Sequence, residues 1–316
     1  MIKNKSICVV VPTYNEEKLI GRVIKSMPDL VDRIIIVDDN SKDNTVEIVK
    51  GYCSKNPEKI MLICHENNQG VGATISTGYK KAVELKYDVT LVMAGDAQMD
   101  PADLPTVAMP VVENKADYVK GNRLFSGESW GMIPHYRYLG NSALSFLTKI
   151  ASGYWHIADS QTGYTAISLE TLRKIDIDSI YKSYGMPNDV LVTLNIHNCV
   201  VVDVPIKPVY NIGEKSGIKL YKVIPSISKL LIKGFFKRML IKYVIKDFHP
   251  LVLFYLLAFF ALPLSFLFLF RTIYFYFILG SIPHTSFLIF WFLLISGFQS
   301  LFFAMWFDMD YNKKLK

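Results

Sequence analysis

Residues 89–101 read VTLVMAGDAQMDP, an apolar run that breaks into a glycine, a carboxylate and an amide before a proline. The run Val89 to Met93 has the length and composition of a short buried strand. It ends at Gly95 and then offers Asp96 and Gln98. In open α/β sheets, ligands sit in the crevice beyond the carboxyl ends of the strands. If strand-like alternation continues through the turn, the Asp96 and Gln98 side chains point to the same side. Two hard oxygen donors there suit a divalent cation held partly by a ligand's phosphates. The competing reading is that Asp96 caps the helix after Pro101. The other strand ends decide between the two.

Working outward, ICVVV (7–11) and RIIIVDD (33–39) read as buried strands, and IMLIC (60–64) and ADYV (116–119) continue the series. Helical patterns lie between them: Glu16 to Ser26, Asp43 to Tyr52 with Ser41 as its cap, Gly70 to Leu85, and Pro101 to Val112. Strands alternating with helices at this spacing predict an α/β fold, with a mainly parallel, doubly wound, Rossmann-like sheet. Beyond Tyr118 the pattern is irregular. A helix is expected from Tyr138 to Ala151 and a late strand over 200–206, so that residues 1–212 form one domain.

Each strand end is polar. The first closes in VPTYNE (11–16), the second in VDDNSKDNT (37–45), and the third is followed by NNQGVGAT (67–74). One such end is explained by a helix cap; four on consecutive strands point to a ligand. Asp38 and Asp39 are carboxylates able to accept hydrogen bonds from a base or from ribose hydroxyls. Gly70 and Gly72 let backbone approach a ligand closely at a helix start. A lone G-x-G is weak, and the G-x-G-x-x-G spacing of a dinucleotide fold is absent.

The 316 residues are 51% hydrophobic with a mean hydropathy of +0.25. That excess is concentrated. Pro250 to Phe270 and Thr285 to Phe307 carry no charge, and each is long enough to cross a bilayer core of about 30 Å. Two transmembrane helices joined by a Gly280–Pro283 turn are expected, with Pro263 and Gly297 tolerated inside them. The net charge of +7 is concentrated too: Lys215, Lys219, Lys222, Lys229, Lys233, Lys237, Arg238, Lys242 and Lys246 follow one another with no acidic residue between Lys215 and Lys246. Apolar residues interleave with them at helical spacing, so 213–248 reads as amphipathic helices on an anionic lipid surface, ahead of a two-helix anchor at 249–316. That position argues against a nucleic-acid partner. Basic residues flank both spans on one side, and only Arg271 falls in the expected inter-helix loop, so the large N-terminal domain and the tail are expected in the cytoplasm. The apolar run after Met1 to Ser6 is too short for a signal peptide. Cys8, Cys53, Cys64 and Cys199 show no metal spacing and read as buried thiols. His135 and His156 read as structural, and Trp130, Tyr136 and Tyr138 as lipid-entrance or interface aromatics.

VPTYNE, VDDNSKDNT, NQGVGA and GDAQMDP, in that order, resemble the successive signatures of GT-A glycosyltransferases of family 2. With GNR (121–123), Arg137, DSQTGY (159–164) and two terminal spans, the chain resembles the polyprenyl-phosphate glycosyltransferases. The resemblance implies an inverting enzyme. Its donor would be a UDP- or GDP-linked sugar, its acceptor a dolichyl or undecaprenyl phosphate, and its cofactor Mg²⁺ or Mn²⁺. It implies that Pro12, Tyr14, Glu16 and Asp39 contact the nucleotide, that Asp96 and Gln98 bind the metal, and that Arg123 and Arg137 hold the lipid phosphate. Asp159 and Gln161 then lie in the acceptor loop, Lys219 or Lys215 closes over the diphosphate, and Asp189 is either a base or a structural residue. Where many relatives read Asp-x-Asp-x-Gln, this chain has Ala94, so metal binding before the nucleotide arrives is expected to be weaker. A glycan-polymer acceptor and a catalytically degenerate donor-binding scaffold are the alternatives. Paired membrane hairpins also make a homo-oligomer an expectation.

Overall fold

The computed structural model of the chain describes residues 2–124, 135–207, 209 and 220–316, without the side chains of 136, 137, 220–223 and 279. It divides into two units, Met1–Phe235 with Leu315–Lys316, and Phe236–Lys314.

The first unit is built on seven strands: β1 (Ile7–Thr13), β2 (Arg33–Asp38), β3 (Ile60–Cys64), β4 (Val89–Val92), β5 (Tyr118–Asn122), β6 (Thr165–Ser168) and β7 (Val201–Pro205). Their order in the sheet is β3-β2-β1-β4-β6-β5-β7. All neighbours are parallel except β6, which is antiparallel to both β4 and β5. Two reversals leave β5 running the same way as β4. The carboxyl ends of β1, β2, β3, β4, β5 and β7 therefore share one edge, and β6 starts from that edge. The predicted mainly parallel sheet is present, and the inserted β6 is an addition. Its residues, TAIS, form no continuous apolar run and do not stand out from the irregular stretch around them.

Both faces of the sheet are covered, as the apolar runs require. Ile7, Val9, Val11, Ile34 and Ile36 lie in one core, while Cys8, Val10, Ile35 and Val37 lie in the other. The helices are α1 (Ile20–Lys25), α2 (Thr45–Lys55), α3 (Val71–Glu84), α4 (Leu104–Val112) after a 3-10 turn Pro101–Asp103, α5 (His135–Ser152), α6 (Leu169–Lys174), α7 (Met186–Ile196) and α8 (Leu220–Leu240). Two expectations need correction. The first helix starts four residues late, because the Glu16 and Glu17 N–H groups donate instead to Thr45 Oγ1 (2.9 Å) and an Asp43 carboxylate oxygen (3.2 Å). Ser41 does not cap α2; Asp43 accepts the Thr45 N–H at 3.0 Å.

The second unit holds the end of α8, a π-helical turn (Ile241–Lys246), α9 (Leu251–Leu279) and α10 (His284–Tyr311). Gly280, at φ 66°, ends α9 and begins the turn expected from the sequence. Both helices are long and apolar enough to cross a membrane and are mostly exposed, unlike core helices of a soluble domain. Arg271 is not in the inter-helix loop but inside α9, over the Phe275 ring. The basic run is also not uniformly outward: Arg238 and Lys242 are buried. Arg238 donates to both Asp308 oxygens, at 2.7 and 3.0 Å, and the Tyr243 hydroxyl donates to Asp308 Oδ1 at 2.6 Å. Lys242 donates to Asn312 Oδ1 at 2.8 Å. Of the four thiols, Cys8 and Cys199 are buried as expected, but Cys64 is exposed and Cys53 half-buried.

Candidate active site

The loops after β1 and β2 are tied together by their own polar side chains. Asn15, in the left-handed region at φ 56°, takes Ser41 Oγ on its N–H at 2.8 Å, and its Oδ1 accepts the Lys42 N–H at 2.8 Å. Asp38, almost fully buried, accepts the Ser41 N–H at 2.9 Å. The loop after β4 joins them through the Gly95 N–H, which donates to the Pro12 carbonyl at 3.2 Å. Tyr14 is left exposed on this surface. Thus VPTYNE, VDDNSKDNT and GDAQMDP form one connected wall.

Asp39 is the hub of the next part. Its carboxylate accepts the Gln69 and Gly70 N–H groups at 2.9 and 2.8 Å and bonds His65 Nδ1 at 2.8 Å. His65 Nε2 reaches Thr77 Oγ1 at 2.9 Å. The sequence reading missed His65; its signal is a ring with two polar nitrogens placed between an apolar strand and the glycine loop. The glycines have a structural role in the fold besides the one expected. A Cβ at Gly72 would stand 2.1 Å from the Tyr181 carbonyl oxygen, and one at Gly70, at φ 93°, would stand 2.5 Å from that of Lys182. Both glycines thus let the chain's own backbone come close. Asp189, in the first turn of α7, accepts the Tyr181 N–H at 2.9 Å and so holds that backbone against the glycine loop.

The Asp96 turn resolves the cap question. Asp100, not Asp96, accepts the Ala102 N–H (2.9 Å) and caps the helix start. Alternation does not continue through the turn, because Ala97 has φ 58°. Instead Asp96 Oδ1 accepts the Gln98 N–H at 3.0 Å, a local turn that brings the two residues together. Glu16 lies near enough that burial, then the Asp96 carboxylate and then Asp43, push its carboxyl up to about 7. Among the described residues no cluster of three His, Cys, Asp or Glu could hold a metal alone. The donor set nevertheless fits a cation that takes one carboxylate, an amide and a ligand's phosphates, and Mg²⁺ is commonly bound in that way.

Across the edge, β5 ends in Lys120, Gly121 and Asn122, and Arg123 follows it. Arg123 Nε and Nη2 donate to the two Asp159 oxygens at 2.7 and 3.2 Å, a two-point contact on a fully buried carboxylate. Burial alone would raise the Asp159 carboxyl, but the Arg123 guanidinium and Lys120 hold it below the usual range. Gln161 donates to Asn188 Oδ1 at 2.9 Å. Asn122 donates to Asp203 at 2.9 Å. His156 is structural as expected, bonding the Val201 carbonyl at 2.6 Å. Lys215, Lys219 and Trp130 lie outside the described residues, as do the side chains of Tyr136 and Arg137.

Lys120 was not foreseen. Its ammonium is fully buried and donates to the Thr162 carbonyl at 2.8 Å, holding the 159–162 loop from beneath. Burial lowers it to about 7, against the pull of Asp159 and Asp203 and with the push of Arg123. An unfolded lysine keeps its proton to about pH 10.4, so between these limits the unfolded chain binds the extra proton. Folding stability should therefore rise with pH from about 7 to 10, by up to about 1.4 kcal/mol per unit. Urea unfolding of the full chain across that range should show the rise in wild type and its loss in Lys120→Met. A wild-type-minus-variant difference that is flat with pH would mean that Lys120 stays charged.

The fold and this edge define a class: an α/β domain whose strand ends carry cross-linked polar loops beside a carboxylate turn. Residues 8–176 match the family described as Glycosyl transferase family 2, and the chain belongs to that family and is a glycosyltransferase. It is 34% identical over 219 residues to the UDP-N-acetylglucosamine–dolichyl-phosphate N-acetylglucosaminyltransferase of Methanococcus voltae, covering 66% of this chain and 87% of that protein. It is 30% identical to the undecaprenyl-phosphate mannosyltransferase of Micrococcus luteus, over 63% of this chain and 82% of that one. The crystal structure of glucosyl-3-phosphoglycerate synthase from Mycobacterium tuberculosis superposes with a TM-score of 0.54 at 19% identity, covering 74% of this chain and 80% of that one. That likeness establishes the GT-A fold.

Proposed function

We propose that the enzyme transfers a sugar, with inversion at its anomeric carbon, from a UDP- or GDP-linked donor to a polyprenyl phosphate at the cytoplasmic membrane face. The observation that carries this reading is the meeting, on one sheet edge, of the Asp96–Gln98 turn, the cross-linked Pro12–Thr45 wall and the Arg123–Asp159 pair. The wall, with Pro12, Tyr14, Glu16, Asp38 and Asp39, receives the nucleoside, and Gly70 and Gly72 keep the Asp39 loop in place. Asp96 and Gln98, with the donor's phosphates, hold a divalent cation, Mg²⁺ or Mn²⁺, which when bound offsets charge developing on the leaving diphosphate.

The acceptor phosphate is already anionic, so it needs positioning rather than deprotonation. Asp189, engaged with the Tyr181 N–H, then serves the fold rather than acting as a base. Arg123 is oriented by Asp159, and its planar guanidinium is the kind of group suited to a two-point phosphate contact. Arg137, in the first turns of α5, is assigned the second phosphate contact, and Lys215 or Lys219 the diphosphate. Gln161 supports the acceptor loop through Asn188. On α8, Ile232, Phe236 and Leu240 form an exposed apolar flank beside Lys229, Lys233 and Lys237, which supports docking on an anionic lipid surface. Two relatives named for different sugars share a polyprenyl-phosphate acceptor, which supports the acceptor class more firmly than any one sugar.

The test is incubation of membranes carrying the full chain with a panel of labelled nucleotide sugars and polyprenyl phosphate. A lipid-linked sugar should form with Mg²⁺ or Mn²⁺ and vanish with a chelator. Failure of every donor, or transfer only to a glycan, would remove this reading.

A further inference from the structure

Within the second unit, α9 and α10 meet along one buried stripe of α10: Phe290, Gly297, Ser300, Ala304 and Asp308. A Cβ at Gly297 would lie 2.8 Å from Leu262 Cδ2, so the two helices are in close contact there. The opposite face of α10 carries Ile295, Phe298, Gln299, Phe302 and Trp306, which line an open groove. Ile295, Gln299, Phe302 and Trp306 are three to four residues apart and, with Phe298 alongside, make one continuous stripe. Every one of them is exposed in the single chain.

Gln299 is the polar member of this stripe. It stands nine residues before Asp308 and fifteen after His284. Those intervals are about 14 and 22 Å along a helix, beyond the reach of a glutamine side chain toward either polar end. Among the described residues no group hydrogen-bonds its amide. In hydrocarbon an unpaired amide is costly, and polar side chains on spanning helices commonly join one helix to another. A lipid chain lying in the groove would fill its apolar length and leave the amide unpaired. A second copy of this chain, related by a two-fold axis along the membrane normal, brings its own Gln299 to the same depth. An amide is both donor and acceptor, so the two satisfy each other reciprocally.

We propose that two copies of the enzyme associate in the membrane through this face of α10, with the two Gln299 amides paired at its centre. The inference rests on α9 and α10 crossing a bilayer and is independent of which acceptor is used. It is tested on the full chain in native membranes, with Cys53 and Cys64, the two thiols not buried, replaced by serine. Oxidation of Gln299→Cys should give a covalent dimer. Phe277→Cys, on an exposed position of α9, should give only background. In lipid nanodiscs, energy transfer between differently labelled copies should weaken in Gln299→Leu, with a dissociation constant raised about three- to tenfold. No cross-link above the Phe277→Cys control, unchanged association in Gln299→Leu, or capture of another membrane protein instead of a second copy would each overturn the proposal. Sugar transfer assayed in parallel separates loss of the dimer from loss of the enzyme.

Discussion

Asp96→Ala should lower the turnover of sugar transfer by about 10²- to 10³-fold, the usual cost of removing one group that stabilises charge developing in a transition state. The size of the effect follows from Ala94. Relatives with a second carboxylate two residues earlier could keep part of the cation's shell, whereas here that position offers only a methyl group and an N–H directed at Met99 Sδ. The remaining oxygen donors of this turn are Asp96 and the Gln98 amide. Gln98→Ala should accordingly fall less and recover at raised Mg²⁺ or Mn²⁺, since a neutral ligand contributes less than a carboxylate. Folding should be spared in Asp96→Ala, because the helix after Pro101 is capped by Asp100. The measurement is initial rate against metal concentration, with a melting curve for each variant. Full activity in Asp96→Ala would show that the metal and diphosphate lie elsewhere.

Asp308→Leu should destabilise the second unit by about 3–5 kcal/mol, the range found when one partner of a buried ion pair is removed. Arg238 and Asp308 are both fully buried, and the carboxylate also accepts the Tyr243 hydroxyl. Removing Asp308 takes away the carboxylate to which the fully buried Arg238 guanidinium donates two hydrogen bonds, and a buried charge deprived of its partner is costly. Arg238→Met should cost a similar amount for the mirror-image reason. The double variant should recover much of the loss, since two apolar side chains remove the desolvation problem together with the bond. Thermal unfolding of the full chain in lipid nanodiscs gives all three values and their coupling. If the double variant were as unstable as the sum of the singles, the pair would not be acting as a unit.

Much of the catalytic unit was legible in the residues because buried parallel strands must be apolar on both faces and must end in polar loops. ICVVV, RIIIVD, IMLIC and VTLV fall where their runs place them, and the polar ends line up on one edge because parallel strands point one way. The two long apolar helices and the Gly280 turn were equally plain, since composition over some twenty residues is a strong local signal. β6 was not, because TAIS mixes small and polar residues and presents no apolar run. Nor was the packing at Gly70 and Gly72, which accommodate the backbone of Tyr181 and Lys182, more than a hundred residues away.

The amino-acid sequence by itself therefore determined the strand and helix periods, the polar loop at each strand end, the apolar hairpin and the family. These depend on spacing within about twenty residues, and side-chain chemistry repeats at that range. Only the tertiary structure decided which charge meets which: Asp39 with His65 and the glycine loop, Arg123 with Asp159 above Lys120, and Arg238 with Asp308. A carboxylate and its partner 26, 36 or 70 residues apart leave no periodic trace. Their pairing is fixed by the order of strands and the crossing of helices, because a buried charge must find its partner wherever the chain returns.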